Sequence, residues 1–192
     1  MEPLSQDFEA FFTPDANEVE FADPQVDNTL KNLSRIAAIR ATMTARKTLV
    51  LYTPFACRHL RRDFNIASAK MYVYGLDRSY KKEISDAIAT LQFAVSLLEM
   101  DVAPWTNMPN VLAPRSFELL LVSAESTRMM RVLQAVDRCM TGVYSALING
   151  DMTRPERDNL LRPFLISYLN FKRVAMKLEL DGTAQELVDE MR

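Results

Sequence analysis

From residue 27 onward the apolar positions recur with a helical period, broken once by a run that reads as a strand. Over residues 27–45, Leu30, Leu33, Ile36, Ile39 and Met43 fall every three or four residues. That spacing predicts an amphipathic helix, and its polar face carries Lys31, Arg35 and Arg40. The next stretch, "KTLVLYTP", changes character. Its β-branched and aromatic residues favour a strand over residues 48–53, and Pro54 ends it because proline has no N–H to give to a ladder. Pro54 also suits the first position of a helix, with Thr53 as the N-cap. That helix sets Ala56, Leu60 and Phe64 on one stripe and Arg58, Arg61 and Arg62 on another. "NIAS" then reads as a short turn, with Ser68 capping a further segment, "AKMYVY", closed by Gly75.

Beyond residue 76 the helical period returns and persists. Asp77 caps a helix over 78–100 whose buried stripe is Ile84, Ile88, Leu91, Val95 and Leu98. "DVAPWTNMPNVLAPRS" is a loop with three prolines, and residues 117–123, "FELLLVS", fit either a second short strand or the lead-in to a helix. Met129, Leu133, Val136, Met140, Val143 and Leu147 define a helix over 124–149 closed by Gly150. "TRPE" is a capping box that launches a helix to about residue 178, bent at Pro163, and "TAQE" starts a short last helix. Residues 1–26, with Pro3, Pro14 and Pro24 and no sustained period, predict a largely disordered arm.

Charge changes this picture more than composition does. The 192 residues are 48% hydrophobic and 25% charged, ordinary values for a globular chain. The formal net charge of −2 conceals a segregation. Residues 1–30 hold eight acids and no Lys or Arg, whereas residues 31–82 hold twelve Lys or Arg against two acids. The remainder is nearly balanced. A merely solvated helix face interleaves both signs, so a block of net +10 points to an anionic partner, most commonly nucleic acid. Three regions follow: an acidic arm over 1–26, a basic helix-strand-helix-helix region for DNA binding and dimerisation over 27–76, and an α-helical body over 77–192.

Other classes find little material. No apolar run approaches the roughly 20 residues that span a bilayer, and "MEPLSQDFEAFF" lacks the basic start and apolar core of a signal peptide, so no membrane partner is expected. Cys57 and Cys139 stand far apart in unlike contexts, as free buried thiols in a reducing cytoplasm would. His59 is the one histidine and lies beside Arg58, whose charge disfavours its protonation. With no metal-ligand spacing, phosphate loop, dinucleotide fingerprint or nucleophile elbow, no enzyme and no cofactor are expected.

A lone strand leaves donors and acceptors unpaired on both edges. The sequence therefore predicts pairing with the same strand of a second copy, giving an antiparallel ribbon across a two-fold axis that fits the DNA major groove. Alternation sets Arg46, Thr48, Val50 and Tyr52 on the more polar face, the candidates for base readout. Lys47, Arg58, Arg61, Arg62, Ser68 and Lys70 are the phosphate candidates, Ser68 through the free N–H groups of a helix it would start. Leu49 and Leu51 on the opposite face pack on the helices and, with Leu60, are the dimerisation candidates.

The order of basic residue, short strand, Thr-Pro, a helix ending in "HLRRDF", a turn and a Ser-capped helix resembles the ribbon-helix-helix family over residues 46–74. It departs from that pattern at Gly75, where the second helix is cut short, and in the long helical body that follows. More widely, residues 46–175 resemble the AcaB-type regulators of conjugative plasmids and integrative conjugative elements. The quoted features are the strand ending at Pro, the basic helix, the helix "KKEISDAIATLQFAVSLL", the Pro-rich loop and the linker "NGDMTRPERDNLLR". This resemblance implies a mainly α fold with a ribbon-helix-helix-like element, one strand per chain paired across a dimer, embedded in an α-helical domain. It also implies a bacterial regulator, an activator of transfer genes, that binds promoter DNA as a homodimer; a cytoplasmic location and RNA polymerase as a further partner are expectations beside it. The alternative from the residues alone is an α-helical adaptor of a conjugation or secretion apparatus.

Overall fold

In a computed structural model, residues 45–59, 63–108, 110, 112–179 and 182–190 are described. The arm predicted over 1–26, most of the helix predicted over 27–45, and Leu60, Arg61 and Arg62 lie outside them. Among the described residues the chain is mainly helical, with one small two-stranded sheet. In chain order the elements are β1 (Ala45–Leu51), α1 (Pro54–His59), α2 (Asn65–Tyr74), α3 (Arg78–Asp101), a 3-10 turn (Ala103–Trp105), β2 (Arg115–Leu121), α4 (Ala124–Asn149), α5 (Arg154–Met176) and α6 (Ala184–Glu190).

The strand is not alone, which corrects the expectation of one strand per chain. β1 pairs antiparallel with β2 of its own chain, with Leu49 opposite Phe117 and Leu51 opposite Arg115. The ambiguous segment "FELLLVS" is therefore strand as far as Leu121. Its Phe117, Leu119 and Leu121 alternate onto the face that packs on the helices. β1 also begins at Ala45, inside the range predicted to be helix.

Helix ends follow local chemistry almost everywhere. Asp77 accepts the Ser79 N–H at 2.9 Å, and Thr153 and Glu156 form a reciprocal capping box at the start of α5. Thr183 N–H donates to Glu186 at 2.7 Å and starts α6 the same way. Gly75 and Gly150 close α2 and α4, Gly150 with φ 80°. α5 runs through Pro163 and ends at Met176, where Lys177 takes φ 48° and sets its ammonium 4.5 Å from the Tyr74 ring and 4.1 Å from the Tyr80 ring.

Packing joins all of these elements into one core. α3 lies parallel to α4, since Arg128 bonds Ser85 and Gln92 while Arg138 pairs with Glu99. It lies antiparallel to α5, where the Tyr80 hydroxyl donates to the Val174 carbonyl at 2.7 Å. The core does not divide near residue 76: Leu49, Leu51, Phe55 and Met71 are buried in the same cluster as Ile88, Val136 and Phe171. In α4, Gly142 lets the backbone of the 3-10 turn approach closely, for a Cβ there would stand 3.1 Å from the Trp105 carbonyl oxygen. Arg162 of α5 holds α6 through a 2.8 Å bond to Asp189.

Candidate nucleic-acid interface

From Thr48 onward β1 sorts its side chains as the alternation predicts. Leu49 and Leu51 are 1% and 0% exposed, whereas Val50 is 44% exposed and Thr48 faces solvent; Lys47, on the face of the two leucines, is exposed as well. Arg46 takes the register position opposite Leu120, and Thr48 the one opposite Glu118. The burial of Leu49 and Leu51 corrects their assignment to a subunit interface: both are spent on the chain's own core. Leu60, the third dimerisation candidate, is outside the described residues.

Tyr52 and Thr53 lie past the last ladder pair, and a different partner takes their N–H groups. Tyr52 N–H donates to Asp137 Oδ2 at 2.9 Å, and Thr53 N–H and Oγ donate to Asp137 Oδ1 at 2.8 and 2.7 Å. Thr53 Oγ in turn accepts the Ala56 N–H at 3.2 Å, the capping bond predicted for the start of α1. Asp137 is buried in α4. Burial pushes its carboxyl above the ordinary range, while the bonds from Thr53 and Tyr52 and the charge of Arg138 pull the other way. Sequence reasoning passed over this residue. The available signal was its place on the apolar stripe of α4, four residues after Leu133 and three before Met140.

The phosphate candidates fare unevenly. Lys47 is exposed and Arg58 half-buried. Ser68 does not start a helix: it lies inside α2, buried beside Ala67 and Met71, and its hydroxyl has no hydrogen-bond partner among the described residues. Its backbone N–H is therefore not a free helix end, which removes it as a phosphate site. Lys70 Nζ donates to the Met176 carbonyl at 2.8 Å and so caps α5. Just before α2, Asp63 ties the chain to α5, receiving the Tyr168 hydroxyl at 3.2 Å and Lys172 Nζ at 2.9 Å.

A groove of about 530 Å3 runs between the outward face of β1, the turn after α3 and α4, lined by Val50, Tyr52, Met108, Gln134, Asp137 and Arg138. Cys139 also borders it, but burial pushes its thiol up to about 12, which keeps it protonated. Among the described residues no three His, Cys, Asp or Glu side chains gather where they could hold a metal ion, and no helix is long and apolar enough to cross a membrane. Compared with known proteins, the chain matches no family model, no curated protein and no solved structure.

Proposed function

We propose that this protein is a DNA-binding transcriptional regulator that reads promoter DNA through the outward face of the β1–β2 ribbon. The observation that carries the reading is the orientation of β1. Its buried leucines lock the strand to the helices, and Thr48, Val50 and Tyr52 are left to solvent within the segment of net +10 charge. A two-stranded ribbon has the dimensions of the major groove, where such side chains reach base edges. The resemblance to AcaB-type regulators supports the same reading and adds activation of conjugative transfer genes and binding as a homodimer; RNA polymerase is a further partner within the same proposal. Such a dimer forms through a surface other than Leu49 and Leu51.

Fluorescence anisotropy tests the proposal. Alanine at Arg46, Thr48 and Tyr52 together removes the preference for a recovered duplex over a random one. Alanine at Arg61 and Arg62 instead weakens binding to every duplex alike and lowers its salt dependence. Unchanged binding in both variants refutes the assignment.

A specific observation favours the adaptor alternative. Phe93, Leu97 and Met100 are exposed on α3 at i, i+4 and i+7, a stripe suited to a partner helix. Absence of retention on heparin and on duplex DNA at moderate salt, with capture of a protein partner lost in Phe93→Ser, decides for it.

A further inference from the structure

The exit from β1 depends on one side chain of a distant helix, and we infer that Asp137 is the positioning residue for DNA readout. The inference rests on the reading of β1 as the DNA-contacting strand. Register pairing with β2 stops at Leu51, so the next two N–H groups have no ladder partner. Thr53 is fully buried, and an unmet donor there carries the full cost of desolvation. The Asp137 carboxylate offers about four acceptor sites and meets three donors from Tyr52 and Thr53.

The consequence reaches both sides of the turn. Through Thr53 Oγ, the same carboxylate supports the first turn of α1, the helix that carries Arg58. Asp137 thereby ties the last reading residue, Tyr52, and the start of the basic helix to the rigid α4. Base contacts need donor and acceptor within hydrogen-bond distance, whereas phosphate contacts on long basic side chains tolerate small displacements. A loosened turn therefore degrades discrimination before it degrades general affinity. A residue that only supports the fold affects both together.

Asp137→Asn keeps the shape but sets an NH2 group against N–H donors. The probes are a duplex recovered by the wild type from a randomised library and a random duplex, both measured by anisotropy. Loss of a well-placed base contact corresponds to about tenfold in discrimination. The expected result is that loss in the ratio of the two affinities, with affinity for the random duplex and its salt slope unchanged. In the protein without DNA, the Tyr52 and Thr53 amides exchange faster with solvent. Thr53→Val gives a smaller loss through the same route, and Thr53→Ser, which keeps the hydroxyl, restores the ratio; this pair decides the matter should Asp137→Asn not fold. An unchanged ratio in folded variants of a discriminating wild type overturns the role of Asp137 alone. A wild type that discriminates between no duplexes overturns the DNA reading and this inference together.

Discussion

Leu51 offers the sharpest test of where β1 spends its apolar face. Its side chain has no solvent exposure and sits in the core with Phe55 and Val136, although the sequence alone places it at a subunit interface. Leu51→Ala removes about three methylene equivalents, roughly 2.4 kcal/mol of transfer free energy at about 0.8 kcal/mol each. The cavity left behind adds about 1 kcal/mol, because neighbours anchored on long helices collapse only in part. The expected destabilisation is therefore about 3 kcal/mol. With a urea slope of about 2 kcal/mol per molar, the unfolding midpoint falls by about 1.5 M. Urea titrations followed by far-UV circular dichroism, run at two widely separated protein concentrations, measure this. A leucine in the chain's own core gives a difference from wild type that is independent of concentration. A difference that grows on dilution, or one below about 1 kcal/mol, refutes the intramolecular packing of β1.

Three further predictions rest on titrating groups. The caps Asp77, Glu156 and Glu186 all hold their protons less tightly than ordinary carboxylates, because backbone and hydroxyl groups of Ser79, Thr153 and Thr183 donate to them. Their contribution to stability is present above the ordinary carboxylate range and is lost as the pH falls through their lowered folded values, so melting midpoints drop on that limb and the Glu156→Gln, Glu186→Gln double variant shows a shallower one. Asp137 works in the opposite sense: its raised pKa gives a contribution that is present at low pH and lost as the pH rises through the folded value, and Asp137→Asn removes that limb from the same melts. Cys57 and Cys139 are both buried, and the Cys139 thiol is pushed up to about 12, so mass spectrometry after alkylation at neutral pH finds neither modified until urea is added.

Local patterns predetermined much of this chain. The apolar period of residues 78–100 and 124–149 was enough to place α3 and α4, and Asp77, Thr153, Thr183, Gly75 and Gly150 marked ends that backbone hydrogen bonding enforces without help from elsewhere. From Thr48 onward the alternation in β1 foretold which side chains face in and which face out, because strand periodicity is a property of the backbone itself. Tertiary structure decided the rest. No local signal says which strand Leu49 and Leu51 will lie beside; that depends on a long-range contact with "FELLLVS", whose place in the same chain makes the pairing intramolecular. Ser68 carries a sound capping signal, yet burial against the core makes it an interior residue of α2. Asp137 reads as an interruption of an apolar stripe until the fold brings the end of β1 to it from 84 residues away, and only then do two orphaned N–H groups explain why an acid is buried there.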